Sequence, residues 1–430
     1  MEVLQDTYKD TKIGRIPKDW KLISFGDLGE YYGGLSGKTK VNFGSGKPYI
    51  PFMNIMANDI IDVNYFDLVE IKGDEKQNKA VKGDVFFNTS SETPEEVGMC
   101  AVLLDDISDL YLNSFCFGFR LNEEAKKRYL PEYISRFMNS GFGRRLMFPL
   151  AQGMTRYNLS KKYFVKLEIP FPSLPEQQKI AAILSTVDEQ ISTTDQIIEK
   201  SKELKKGLMQ KLFSEGIGHT EFKDTKIGRM PKGWEVVRLG NTTLKIKDGT
   251  HGTHKDFDGG LPLLSAKDIR NGIVNIPSDC RKISIQDYES IHRNFQLLDE
   301  DILLTVVGTI GRVAILKNYN SNFTFQRSVA YIRLSGDTNP AFYVQYFLSK
   351  EFTKQLLMRA NASAQAGVYL GELSKIPIPI PSLQEQQKIA TILSEADAKI
   401  EKEQTQKAQL EALKKGLMQQ LLTGKKRVKV

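Results

Sequence analysis

Asp248-Gly249-Thr250-His251-Gly252-Thr253-His254-Lys255 gathers two imidazoles, a carboxylate, two hydroxyls and an ammonium within eight residues. Two histidines and an aspartate could begin a zinc site, but a glycine-rich loop without a further ligand cluster is a poor cage. The same residues suit a polyanion. Glycine lets the backbone approach closely, while Gly249, Thr250, His251, Thr253, His254 and Lys255 offer donors and acceptors for base edges and phosphates. Gln326-Arg327, behind Phe323 and Phe325, carries the two side chains that pair best with adenine and guanine in a major groove, unless the arginine is packed at a sheet edge. Gln152-Gly153-Met154-Thr155-Arg156-Tyr157-Asn158 runs on to Lys161 and Lys162 with no acid before Glu168. From this stretch Gln152, Thr155, Arg156, Asn158, Lys161 and Lys162 are candidate contacts, the lysines to phosphates rather than bases. Thr89 and Ser91, in Thr89-Ser90-Ser91-Glu92-Thr93, and the segment Ser36 to Lys40 are candidates of the same kind. Each could equally be an ordinary turn.

Motifs that would carry catalysis are not spelled out. Gly33-Gly34-Leu35-Ser36-Gly37-Lys38-Thr39 approaches a phosphate-binding loop, but the position that needs glycine holds Tyr32. Asn339-Pro340-Ala341 departs from the Asn-Pro-Pro-aromatic motif of amino-methyltransferases, and neither GxSxG nor HExxH is found. No catalytic, metal or cofactor site is assigned. Three cysteines, Cys100, Cys116 and Cys280, form no CxxC pair, so reduced structural thiols are expected. Sixty Lys and Arg stand against 52 Asp and Glu, a net +8. That balance favours polyanion partners without identifying one. The first residues, MEVLQDTYKD, have no basic and apolar leader pattern, and no run approaches the length of a membrane span. A cytoplasmic protein is expected.

The candidate residues need a scaffold, and the chain announces it twice. Asp10 to Trp20, DTKIGRIPKDW, returns as DTKIGRMPKGW at Asp224 to Trp234, and IPFPSLPEQQKIAAILS at Ile169 to Ser185 returns as IPIPSLQEQQKIATILS at Ile378 to Ser394. The interiors between these frames resemble each other far less. At 430 residues the chain is long for one core, and the repeat implies two domains of one fold. Val85 to Phe87, Phe115 to Leu121, Ile302 to Val307 and Val329 to Leu334 read as strands. Pro131 to Phe148 and Pro340 to Asn361 each read as one amphipathic helix opened by proline. After each domain, the proline-free runs Glu176 to Ser214 and Glu385 to Gly424 carry stripes spaced alternately four and three. The first stripe is Ile180, Leu184, Val187, Ile191, Thr194, Ile198, Ser201, Lys205, Leu208 and Leu212; its copy runs from Ile389 to Leu421. Such stripes suit two helices packed by heptads, each about 60 Å long at ~1.5 Å per residue.

The first helix delivers the chain directly to the second domain, so a second helix packed along it must run back. The pair is then antiparallel, and the head-to-tail repeat becomes a pseudo-twofold object. The fold class expected is α+β: two tandem domains of similar, mainly β fold, separated by two long antiparallel coiled-coil helices. Boundaries follow: 1–170 for the first domain, 171–216 for the central helical spacer, 217–379 for the second domain, 380–424 for the C-terminal helical spacer. Residues 425–430 read as a frayed, solvated basic tail.

Two variable domains, each followed by Pro-x-Pro-Ser-Leu-x-Glu-Gln-Gln-Lys-Ile-Ala and a long helix that ends in Leu-Lys-Lys-Gly-Leu-Met-Gln, resemble the specificity subunit of type I restriction-modification systems. The resemblance spans nearly the whole chain, and Asp248-Gly249-Thr250-His251 and Leu261 to Ile269 resemble segments of that family's target-recognition domains. It implies a non-catalytic, sequence-specific DNA-binding subunit. Each domain would read half of a bipartite, asymmetric site in double-stranded DNA, with the helices setting the gap. Implied partners are two modification subunits, which bring S-adenosylmethionine for N6 methylation of a flipped adenine, and two restriction subunits, which use ATP and Mg. A scaffold that joins two protein-binding domains through a coiled coil is the alternative.

Overall fold

The computed structural model describes residues 8–270, 272–320, 322–360 and 367–429. It divides into two compact units, one of Met1–Asp195 with Thr405–Val430 and the other of Gln196–Gln404. Each has the same α+β plan.

In the first unit a four-stranded antiparallel sheet runs in the order Gly29–Gly33, Cys116–Leu121, Val85–Asn88, Cys100–Val102. Val85-Phe86-Phe87 is buried on both faces of this sheet. Val85 and Phe87 join Phe25, Phe117 and Phe119 in the larger core, whereas Phe86 joins Ile50, Ala101 and Leu112 in a second core. A short, continuously apolar run is what a strand sandwiched between two cores requires, because its side chains alternate faces. The second unit repeats the order with Thr243–Asp248, Val329–Leu334, Ile302–Thr305 and Val313–Ile315. There Ile302 and Leu304 face one core and Leu303 the other.

One buried ion pair is duplicated with the sheet. Asp84 accepts from Arg120 Nε and Nη2 at 2.8 and 2.7 Å, and Asp301 accepts from Arg333 Nε and Nη2 at 2.8 and 2.7 Å. Both carboxylates are almost wholly buried, so the bidentate geometry compensates their lost hydration.

Where one amphipathic helix was expected, each unit has two. Pro131–Asn139 is followed by Gly141–Met147, and Pro340–Phe347 by Lys350–Ala360. Ser140 takes an extended backbone conformation and its hydroxyl accepts from Gly143 N, which starts a new helix. Ser349 does the same for Phe352 N. Asn361, the expected end of the second helix, lies outside the described residues.

The long helices run Leu174–Glu215 and Leu383–Leu421. Within the first unit Lys414 meets Asp188 at 2.8 Å and Lys407 meets Asp195 at 2.7 Å, so the segments are antiparallel. The second unit keeps that register, with Lys205 on Asp397 at 2.6 Å. Every stripe position from Ile180 to Leu212 is buried or half-buried, with Lys205 filling its polar centre by pairing with a carboxylate.

Contacts explain the repeated frames. Gln177 accepts from Leu130 N and donates to Pro172 O, while Gln386 accepts from Asn339 N and donates to Pro381 O. Each glutamine thus fastens the first long-helix turn to the N-terminus of the neighbouring proline-led helix. Tyr133 donates to Pro170 O and Tyr343 to Pro379 O, both at 3.1 Å. Glu385 accepts from Trp234 Nε1 at 2.9 Å and lies 2.9 Å from His219 Nε2.

Its counterpart Glu176 corrects the expectation of a frayed tail. Arg427 donates to both Glu176 oxygens at 2.7 Å and to both Asp19 oxygens at 2.9 and 2.7 Å. Its guanidinium also lies 5.9 Å from the Trp20 ring centre. Two carboxylates, one of them buried, draw the tail onto the domain.

Candidate nucleic-acid interface

In the second unit, strand Thr243–Asp248 ends beside the turn that links Thr324–Phe325 to Val329–Leu334. Backbone bonds join them: Gly249 N to Val329 O at 3.0 Å, Thr250 N to Phe325 O at 2.9 Å and Arg327 N to Thr250 O at 3.0 Å. Gln326 N donates to Leu264 O at 2.8 Å and Val329 N to Gln326 O at 3.1 Å. Gly249 is obligatory here, because a Cβ would lie 2.0 Å from Phe325 O.

The Asp248 to Lys255 loop and Gln326-Arg327, bridged between Thr250 and Gln326, therefore form one surface. Arg327 is exposed rather than packed in the sheet edge. The loop braces itself: Thr250 Oγ1 accepts from Gly252 N at 3.1 Å and lies 2.9 Å from His254 Nε2. His254 Nδ1 is 3.2 Å from Asp287 Oδ1, and Arg281 bonds the His254 carbonyl. His251 turns the other way, 2.7 Å from Asp248 Oδ2. The two imidazoles thus pair with different carboxylates, and among the described residues no group of three or more His, Cys, Asp or Glu could hold a metal. Thr253 and Lys255 are exposed at the rim.

The first unit builds the same junction. Gly34 N donates to Cys116 O, Leu35 N to Leu112 O, Asn113 N to Ile50 O and Cys116 N to Asn113 O. These four bonds match those of Gly249, Thr250, Gln326 and Val329, and a Cβ on Gly34 would lie 2.0 Å from Asn113 O. Asn113, Ser114 and Phe115 consequently occupy the places of Gln326, Arg327 and Ser328. Sequence reasoning passed over these three. The junction consists of main-chain bonds, so its only written trace is one glycine per domain.

Beside the junction, Ser90–Ser91, Tyr157–Leu159 and Ala151–Gln152 form a small antiparallel sheet that brings Thr89, Ser91, Gln152 and Asn158 together. Ser91 is tied inward, donating to Glu96 at 2.6 Å. Gln152, Thr155, Arg156 and Asn158 are exposed. Arg156 lies over the Phe115 ring, 5.5 Å from its centre. Lys161 is half-buried, 5.3 and 5.2 Å from the ring centres of Tyr31 and Phe117, and that burial lowers its pKa. Lys162 is exposed. In the segment Ser36 to Lys40, Lys38 is nearly buried and bonded to Glu75 at 2.5 Å, which holds that carboxyl down at about 2. Burial pushes the Cys100 thiol up to about 12, as an inert structural cysteine requires.

The model of the type I restriction modification DNA specificity domain matches twice, over residues 17–203 and 231–412. The chain belongs to this family. It is 30% identical over 436 residues to a Methanocaldococcus jannaschii protein provisionally named the type I restriction enzyme MjaX specificity subunit, covering 99% of this chain and 98% of the relative. The MjaVIII specificity subunit of the same organism is 27% identical over 443 residues, covering 99% and 97%. Among solved structures, the type I restriction-modification S subunit from M. genitalium shares the fold with a TM-score of 0.54 at 16% identity, over 94% of this chain and 96% of that one. A chain from a type I R-M system, solved to explain complex assembly and conformational transition, gives 0.60 at 17% identity, over 95% and 99%.

Family membership makes the chain a DNA-binding specificity subunit of a type I restriction-modification complex. The two matched segments each contain one four-stranded sheet and one glycine junction, so the duplicated family domain and the duplicated geometry coincide. No described helix is long and apolar enough to cross a membrane.

Proposed function

We propose that each unit reads one half of a bipartite, asymmetric sequence in double-stranded DNA, and that the helix pair fixes the unread gap between the halves. The observation that carries this reading is the glycine junction: four matching main-chain bonds in both units, with Asn113-Ser114-Phe115 on one and Gln326-Arg327-Ser328 on the other. Equal scaffolds bearing unequal side chains are what two readers of different sequences need, because phosphate contacts position a protein while base-edge contacts specify.

In the second domain, 217–379, the reading residues are Gly249, Thr250, His251, Thr253, His254, Lys255, Gln326 and Arg327. In the first, 1–170, they are Thr89, Gln152, Thr155, Arg156, Asn158, Lys161 and Lys162, while Ser91, buried and donating to Glu96, holds the small sheet in place instead of facing DNA. Gly249, buried against Phe325 O, lets strand and turn close up beneath the surface, and Thr250 with His254 stiffens the loop that carries Thr253 and Lys255. The antiparallel helices, spacers at 171–216 and 380–424, would dock two modification subunits. S-adenosylmethionine on those subunits would methylate a flipped adenine at N6. Restriction subunits with ATP and Mg would add cleavage, and this chain itself would catalyse nothing.

Methylome sequencing of a host that carries the complex tests the reading. Two specific blocks separated by a constant unread gap are expected; a continuous or palindromic methylated motif would refute it. Binding to duplex DNA should also fall by roughly 10³ or more between 50 and 200 mM salt if several phosphates are engaged.

A further inference from the structure

Phe115 leaves 52% of its surface exposed, on a backbone with little freedom to move. Its N–H donates to Asn113 Oδ1 at 2.8 Å and its carbonyl accepts from Thr89 N at 2.9 Å. The next N–H, of Cys116, closes the turn on Asn113 O at 3.1 Å. An apolar ring is thus held outward at the junction where the other unit presents Gln326-Arg327-Ser328.

Over that ring lies Arg156, from the connection between Ala151–Gln152 and Tyr157–Leu159. Gly153 permits the tight return of this connection, with φ +143 and no room for a Cβ against Arg156 O. Stacking on an aromatic face fixes the plane of a guanidinium and leaves its N–H fork free for a bidentate partner. Among the described residues no carboxylate forms an ion pair with Arg156.

We propose that Phe115 and Arg156 form one composite base-reading element of the first domain, Arg156 on a guanine and Phe115 against the C5 methyl of a neighbouring thymine. The proposal rests on the half-site reading given above and names what the first half contains. Guanine offers O6 and N7 to an arginine fork, and thymine's methyl is the one apolar feature of the major-groove edge. The 5.5 Å between Arg156 Cζ and the ring centre spans between one and two base steps of about 3.4 Å, so the two groups can meet adjacent or next-adjacent pairs. Ser114, level with Arg327, has no such reach, which moves the first domain's arginine contact from the turn to the neighbouring strand connection.

The test uses the full chain assembled with its modification subunits and a pool of duplexes randomised across the bound region. The selected wild-type duplex is then made with deoxyuridine for thymine, or 7-deazaguanine for guanine, at each first-half position in turn. Wild type should lose about 4-fold with one deoxyuridine, the worth of a single methyl group, and about 5- to 100-fold with one 7-deazaguanine. Phe115→Ala should bind the thymine and uracil duplexes equally, and Arg156→Ala should become indifferent to the deaza substitution. Both should keep the second half unchanged, which shows that the assembly is intact. Arg156→Lys should not restore the guanine preference. Variants that keep both wild-type preferences, or a first half made only of A·T pairs or only of G·C pairs, overturn the proposal while leaving the two-reader reading standing. Wild type that selects no two-part sequence overturns both.

Discussion

Adding one methyl group to Gly249 should disable one reader and spare the other. The Cβ of Gly249→Ala would lie 2.0 Å from Phe325 O and 2.5 Å from Phe325 C. Carbon atoms settle near 3.5 to 4 Å from their neighbours, so strand and turn must part by more than about 1 Å. The bonds that would stretch are Thr250 N to Phe325 O, Gly249 N to Val329 O and Arg327 N to Thr250 O. At about 0.5 to 1.5 kcal/mol net each, their loss amounts to roughly 2 to 4 kcal/mol of local stability. The surface made by the loop and Gln326-Arg327 would come apart before the sheet does. Hydrogen exchange should speed up at residues 249–255 and 324–329 with little change at 34–37 and 112–116, and duplex selection should return an altered second half beside an unaltered first. Gly34→Ala, whose Cβ would lie 2.0 Å from Asn113 O, should give the mirror result. A Gly249→Ala protein with unchanged exchange at 324–329 and an unchanged second half would refute the argument that this junction positions the reader.

The tail should respond to single substitutions: Arg427→Ala leaves the buried Glu176 carboxylate without its cation. About 1 to 2 kcal/mol of first-unit stability should go, discounted because the arginine is 42% exposed, and carboxypeptidase digestion of residues 425–429 should accelerate. Hydrogen bonding to Arg427 lowers the Asp19 pKa, so that contribution is complete above the ordinary aspartate value near 3.9 and is lost as pH falls through the lowered one. Digestion of the tail should accordingly be as slow at pH 5 as at pH 7 and rise only in stronger acid. Inserting four residues after Asp195 with a matching four after Gln406, level with it in the observed register, should lengthen the spacer by about 6 Å. The methylated motif should keep both halves and gain one to two base pairs of gap; an unchanged gap would show that the helices do not set it.

The repeats were legible because several matched residues do the same mechanical task in both units. Gln177 and Gln386 fasten two helices, Tyr133 and Tyr343 seize a proline carbonyl, and the helix stripes meet in register through Lys205, Lys407 and Lys414. Such side-chain tasks leave legible repeats. Tasks done by the backbone do not, and so the pairing of Gly34 with Gly249, and of Asn113 with Gln326, was invisible among interiors that share few side chains. The break at Ser140 was obscured by the apolar positions of Met138 and Phe142, four residues apart, which continue a helical spacing across a residue that caps rather than propagates. Arg427 looked like one more charge in a basic tail, since nothing near it in sequence hints at Asp19 or Glu176.

The junction between long helix and hairpin occurs once with a covalent connection and once without. In the second unit the chain passes from Gly216 through His219, at Glu385, directly into the hairpin of Phe222–Thr225 and Gly228–Pro231. In the first unit Gly424 accepts from the Tyr8 hydroxyl at 2.9 Å and Arg427 sits at Glu176, beside the matching hairpin of Tyr8–Thr11 and Gly14–Pro17, with no peptide link between them. In each unit, therefore, the end of a long helix is held at a hairpin by side chains, and the second unit adds a covalent connection to the same arrangement. A circularly permuted chain, closed by a short linker from residue 427 to residue 8 and opened between His219 and Phe222, should keep the side-chain contacts of both junctions and the same target while carrying its two domains in exchanged order along the polypeptide.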